Sequence, residues 1–432
     1  MGILGLLLMV LLILNLPFTQ RFATGKVNQV LSSSSVPIHL DAIRKIMPGS
    51  VIIQGVVISG LQGDTIIYAG ELEADIRLIS LLRSKVMLKE VLLDGALVEL
   101  TRKNSAEKLN IAAAFQSGKL KDAVSLEKPP AKWEISIRKG TLSNIRFQMN
   151  DSISGVHISQ DASLIKLDNF DISLPKREIN IRSLFLDNAM GSVHLTPRLK
   201  PTETRKGPPW NLGFDKLAME DMDFGFSRAV DSLDIRTIIG KGSVRANVFD
   251  LVSRTVDIEK ISLDKSMLAI NGRRVFHEID LQTEDLRLDE TQAALKLRKM
   301  AFEMENGFSL KKMSGELDSN RDKTWLQVDV QTKNSRLGLK ASADETYGDI
   351  LAAPGQIEQA TVEMEQSMIS LKDLFFFLPE LEGWPIYECL AASQIEVGMH
   401  LDLKASSLDV SAMTISQGRN FSIKLGGNIQ KV

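Results

Sequence analysis

The side chains best suited to chemistry are five histidines, one cysteine and a lysine three residues beyond a serine. Imidazole is the usual general acid–base group and the commonest metal ligand. His39, His157, His194, His277 and His400 lie far apart in the chain. Four sit in strand-like alternation, and no two stand at metal-ligand spacing. The sequence contains no HExxH zinc motif, no GxSxG nucleophile elbow and no phosphate-binding loop. Ser105 and Lys108 match the SxxK pattern, but that pattern is short and falls in a polar loop. Cys389 reads as a small buried hydrophobe. The acidic run from Glu284-Asp285 to Asp289-Glu290 reads as a solvated face. No residues converge on catalysis, so the chain reads as a non-enzyme that needs neither metal nor cofactor.

Composition removes further classes. Fifty-two basic and 54 acidic residues leave a formal net charge of -2. Nucleic-acid binding would require a basic surplus or stripe, so no nucleic-acid partner is expected. A single cysteine excludes a disulfide scaffold. A chain of 432 residues is long for one compact core, which implies several domains or an elongated fold.

The first fourteen residues carry no charge, and the next ionisable side chain is Arg21. Ile3, Leu4, Leu6, Leu7, Leu8, Val10, Leu11, Leu12, Ile13 and Leu14 form the apolar body of this segment. As a helix it covers roughly 21–24 Å. A bilayer core is about 30 Å thick, and the uncharged stretch from Asn15 to Gln20 extends the reach. A retained signal anchor is one reading. A cleaved secretory signal, with Ala23-Thr24-Gly25 as a small-x-small site, is another. A buried core helix is the third. The first two place the rest of the chain outside the cytosol.

Downstream elements follow from local pattern. Pro17 to Ser32 reads as an amphipathic helix with Phe18, Phe22, Val27, Val30 and Leu31 roughly on one side, stopped by Ser32 to Ser35 and Pro37. Val51 to Ile58 is a β-branched strand, and Gly63-Asp64 turns the chain into Thr65 to Tyr68. Short helices are expected at 80–84 and 110–116. Linkers rich in proline and charge are expected at 120–132 and 199–209.

Beyond these, one pattern recurs. Apolar residues stand at offsets 0, 2, 5 and 7 and are followed by aspartate. The copies are Val86, Leu88, Val91, Leu93, Asp94; Ile179, Ile181, Leu184, Leu186, Asp187; and Val256, Ile258, Ile261, Leu263, Asp264. Chance predicts on the order of 0.1 such matches. Looser relatives follow Trp133 (Ile135, Ile137, Leu142, Ile145, Phe147) and Trp210 (Leu212, Phe214, Leu217, Met219, Met222, Phe224). The copies are spaced irregularly, unlike a strict solenoid. Period 2 turns one strand face toward apolar material. The step of three breaks that parity once, and a bulge would restore the same face while adding twist. The fold class expected is therefore mostly β: after the N-terminal membrane helix, an elongated, twisted antiparallel sheet with one apolar face, curled into a groove, and a few short helices. A closed sandwich or a barrel would satisfy the same pattern.

The stretch from Glu73 to Gly95 (EADIRLISLLRSKVMLKEVLLDG) and on to Leu100 resembles the amino-terminal signature of the AsmA superfamily. With QGDTIIYAGELEADI, with LNIAAAF at Leu109 to Phe115 before Trp133, and with SLKDLFFFLPEL at Ser370 to Leu381, the chain is most similar to the TamB-like branch. Full TamB-like chains are longer and end in a further β-rich domain, so a shortened C-terminal region is expected.

The resemblance implies an anchor at 1–17, a helix and linker at 18–35, an AsmA-like β-region at 36–119 and groove segments at 133–198 and 210–432. It implies a single-pass inner-membrane protein with its bulk in the periplasm. Its partners would be phospholipid, the inner membrane and an Omp85-type outer-membrane barrel. The twelve skeleton residues would line the lipid path. A structural or chaperone-like tether of an outer-membrane assembly module, carrying no lipid, is the alternative. An edge strand offering backbone pairing would suit it.

Overall fold

The computed structural model describes residues 16–32, 38–47, 50–60, 63–76, 85–103, 109–116, 134–173, 176, 178–197, 211–250, 255–289, 292–352, 357, 359–376, 393–404, 407–417 and 421–430. The expected anchor, the helix at 80–84 and both linkers lie outside these residues or almost wholly so. Among the described residues, no helix is long and apolar enough to cross a membrane. The described residues form nineteen strands of one sheet. The chain divides into two compact units, one holding Met1–Ile238 with Ile270–Gly272, the other Ile239–Ala269 with Arg273–Val432.

In the first unit, helix α1 (Pro17–Ser32) precedes β1 (Ile38–Met47), β2 (Ser50–Ser59), β3 (Thr65–Ile76) and β4 (Lys85–Arg102). Helix α2 (Asn110–Gln116) follows, then β5 (Glu134–Asp151), β6 (Val156–Ser173), β7 (Glu178–Leu195) and β8 (Asn211–Arg228). Both helices fall where the sequence pattern put them.

Most neighbours pair antiparallel, as expected, but β4–β5 and β7–β8 are parallel. The expected linkers account for this correction. A parallel joint needs a connection long enough to return the chain to the starting end of the sheet. Both joints coincide with those linkers, whereas the antiparallel neighbours β5 and β6 are joined by a four-residue turn.

The parallel joints also explain the uneven spacing of the repeat. Strands β4, β5, β7 and β8 all run in one direction, with β6 reversed between them. Leu212 lies as far beyond Ile135 as Val256 lies beyond Ile179, so the sequence repeats in blocks of three strands. The left-handed positions follow the same period: Asn144 recurs as Asp221, Gly155 as Ser232 and Asn188 as Lys265, all with positive φ.

Helix α1 turns its polar stripe toward the sheet. Asn28 donates from Nδ2 to the Leu40 carbonyl at 2.8 Å and accepts the Leu40 N–H at 2.9 Å. Thr24 Oγ1 accepts the Ile43 N–H at 2.9 Å, and Gln20 donates to the Arg44 carbonyl. These i, i+4, i+8 side chains satisfy backbone groups of β1. Phe18 and Phe22 are left outward, 80% and 60% exposed.

Strand β9 (Leu233–Asp250) begins in the first unit and ends in the second, where β10 (Thr255–Ile270), β11 (Arg274–Leu288), β12 (Ala293–Met304) and β13 (Ser309–Ser319) lead to β14 (Thr324–Thr332) and β15 (Arg336–Ala343). Then come α3 (Tyr347–Ala352), β16 (Ala360–Ser370), α4 (Leu371–Phe375), β17 (Gln394–Lys404), β18 (Ser407–Gln417) and β19 (Phe421–Gln430). From β11 to β19 every successive pair is antiparallel. Phe276, Phe302, Phe308 and Phe376 form a chain of ring contacts at 5.1 to 6.0 Å. Phe308 and Leu310 are buried there. Asp373 pins α4 by accepting from Thr332 Oγ1, Ser335 Oγ at 2.6 Å and Asn334 Nδ2 at 2.7 Å.

Candidate functional site

Register brings the first two copies of the repeat into line across the first unit. Leu88 is level with Ile137, Ile137 with Phe170, Phe170 with Ile181 and Ile181 with Phe214. The next row is Val91, Gly140, Leu167, Leu184, Leu217, and the one after it Leu93, Leu142, Ile165, Leu186, Met219. At the other end Val86, Ile135, Ile172, Ile179 and Leu212 share a level. The side chain of Val86 lies outside the described residues. Three strand spacings separate the two copies, about 14 Å.

The offset of three is a break in alternation shared by every strand from β4 to β8, so the pairing stays one-to-one and the expected bulge is not formed there. Between the second and third apolar residues, two consecutive charged side chains are exposed: Lys89-Glu90 in β4, Arg138-Lys139 in β5, Asp215-Lys216 in β8 and Glu259-Lys260 in β10. Two outward residues in succession return the next apolar residue to the original face. The ladder skips Lys89 with Arg138, Asn169 with Arg182 and Asp215 at the same level, so the rows remain continuous.

The aspartate after the fourth apolar residue prepares a second break. Gly95, Asn188 and Lys265 follow it directly, and Asn144 and Asp221 take the corresponding place after Ser143 and Glu220; in the order Gly95, Asn144, Asn188, Asp221, Lys265 their φ values are 67°, 55°, 48°, 51° and 49°. Glycine, asparagine and aspartate tolerate the left-handed region better than other residues, so four of these five fit on chemistry alone. Asp94 accepts from Ser143 Oγ at 2.7 Å and Asn144 Nδ2 at 2.8 Å, which hold its carboxyl below the usual carboxylate range. Beyond the break, Ala96, Ile145, Ala162, Ala189 and Met222 share a level, and all but Ile145 are buried.

The apolar rows are half-buried. Leu88, Val91, Leu93, Ile179, Ile181, Leu184 and Leu186 are neither exposed nor enclosed. Their strand neighbours Asn180, Arg182, Asn188 and Met190 are exposed, with Met190 at 60%. The third copy belongs to the second unit. Val256, Ile261 and Leu263 are half-buried there, whereas Ile258 is 7% exposed.

An ion pair ends the face. Arg102 Nε donates to Asp151 Oδ1 at 2.8 Å, and Asp151 is 3% exposed. Burial opposes the Asp151 charge. The Arg102 guanidinium and hydrogen bonds from Ser154 and the Ile153 backbone outweigh it and hold the carboxyl far below its ordinary value.

The sequence pattern missed two features of this sheet. Ile165, Leu167, Phe170 and Ile172 on β6 carry the same offsets, but with a phenylalanine and no following aspartate. His157 and His194, thirty-seven positions apart, are direct cross-strand partners. No protein-family model, curated protein or solved structure matches this chain. The fold and the rows therefore define it only as a β-sheet protein with a repeated, partly uncovered aliphatic face.

Proposed function

We propose that the aliphatic rows carry the acyl chains of phospholipids, in a membrane-anchored protein that moves lipid between the inner and outer membranes through the periplasm. The carrying observation is the row alignment itself. Aliphatic residues that recur far apart in sequence meet at common levels and stay half-exposed instead of closing a core.

An acyl chain exposed to water costs about 0.8 kcal/mol per CH₂, or on the order of 12 kcal/mol for sixteen carbons. An aliphatic surface removes most of that cost. Strands of 18 residues give a face roughly 60 Å long, several times half of a bilayer core. A surface of Leu, Ile and Val offers no deep pocket, which suits sliding. The sheet in this reading curls into a groove, with the headgroup at its open seam. The outward Phe18 and Phe22 of α1, close behind the uncharged segment Ile3 to Leu14, suit attachment at a bilayer surface.

The test is transfer of labelled phospholipid between donor and acceptor vesicles by the purified full chain. Leu186→Arg is expected to abolish transfer, while Met190→Arg on the opposite face leaves it intact. Equal transfer by wild type and Leu186→Arg overturns the reading.

A second reading, a tether of an outer-membrane assembly module, is favoured by β19. It pairs with β18 along its length, residues 422–428 are exposed, and Ile423 and Leu425 are 39% and 52% accessible. Strand addition by a partner barrel would use such a segment.

A further inference from the structure

We propose that His157 and His194 form a two-imidazole site for a divalent transition cation on the face opposite the aliphatic rows. Four side chains stand at one level across four strands: Asn150 on β5, His157 on β6, His194 on β7 and Ser227 on β8. The outer two engage the inner two. His157 Nδ1 meets Asn150 Oδ1 at 3.3 Å, and His194 Nδ1 meets Ser227 Oγ at 2.6 Å. Each Nδ1 is thus drawn away from the other histidine. Nδ1 and the Cδ2–Nε2 edge lie on opposite sides of an imidazole, so this turns the two Nε2 edges toward each other. An amide oxygen accepting from Nδ1–H also fixes the tautomer that leaves Nε2 with its lone pair, the arrangement that prepares histidine for a metal.

The spacing fits one shared ion. A metal held at about 2.0–2.1 Å from Nε2 lies about 3.2 Å from the ring centroid, so two rings can share it at separations up to about 6.4 Å. The observed separation is 6.0 Å, with the planes inclined at 40°. A rotation of either ring about Cβ–Cγ bends the geometry toward the angles that four- or six-coordinate ions prefer. Among the described residues, no group of three or more His, Cys, Asp or Glu is placed to hold a metal, so water completes the shell. Two imidazoles with water favour Cu²⁺ over Ni²⁺ and Zn²⁺. The other histidines differ: His39, His277 and His400 each stand beside a carboxylate, of Asp41, Glu305 and Asp402.

The experiment uses the full chain without an affinity tag, titrated with Cu²⁺ and with Ni²⁺. One ion per chain is expected, with a Cu²⁺ electron paramagnetic resonance spectrum showing two nitrogen ligands. His157→Asn and His194→Asn should each weaken binding at least tenfold, and His400→Asn should leave it unchanged. Circular dichroism confirms that the variants fold. Stoichiometric binding that survives the double variant overturns the site, as does the lack of any saturable binding by the folded wild type.

Discussion

The two units handle hydrophobic surface differently. In the first, aliphatic residues repeat along strands of 18 residues and line up row by row, yet remain half-exposed. In the second, β11 to β13 and the segment after α4 bring four phenylalanines together, and Phe308 is 5% exposed. The phenylalanines close a local core, whereas the aliphatic rows, beside the buried Ala162, Ala189 and Met222, leave much of their own surface open. A core gains from irregular shapes that interlock, which aromatics supply. A surface meant for a fluid chain gains from uniform side chains at regular intervals. In the proposed lipid-carrying reading, the repeat serves presentation more than stability.

That contrast can be broken by stability measurements. The largest effect is expected at the closed core, where Phe308→Ala should cost about 3–5 kcal/mol, read from denaturant midpoints or from hydrogen-exchange protection of the second unit. Next comes the ion pair at the end of the rows. Asp151→Asn strands the Arg102 charge and should cost about 3 kcal/mol at neutral pH. The folded carboxyl is held below its ordinary value, so its contribution is present above the unfolded pKa of about 3.9 and fades as pH falls toward the folded one. Wild type and Asp151→Asn should therefore converge in stability in strong acid, and a constant gap would deny the pair its role.

Leu186→Ala should cost only about 1 kcal/mol, because its side chain is half-buried and leaves no closed cavity. A loss as large as that of Phe308→Ala would mean that the rows are core after all. Comparable in size is Gly95→Ala. The new Cβ meets nothing within 4 Å, so the cost of about 1 kcal/mol is backbone strain at φ +67° alone.

Much of the aliphatic face was legible in the sequence because it is carried within single strands. Offsets 0, 2, 5 and 7 are a property of one strand, and the charged doublets such as Lys89-Glu90 and Glu259-Lys260 sit where the alternation breaks. The positions after Asp94 and Asp187, a glycine and an asparagine, carried the left-handed break in their chemistry. The parallel joints were hidden because antiparallel pairing was taken for every neighbour, although the linkers at 120–132 and 199–209 fall between those two pairs of strands alone in the first unit. Asn150, His157, His194 and Ser227 could not be joined from sequence. Their meeting depends on the register of four strands at once, and no local signal encodes that. The step from a half-exposed face to a lipid path depends on physical argument about the rows themselves.

The account is tested most directly by placing a photo-activatable amino acid at position 186 and, separately, at position 190 of the full chain incubated with phospholipid vesicles. Mass spectrometry of the crosslinked products should find phospholipid attached at 186 and none at 190. Capture of protein alone at 186, or equal lipid at both positions, would contradict it.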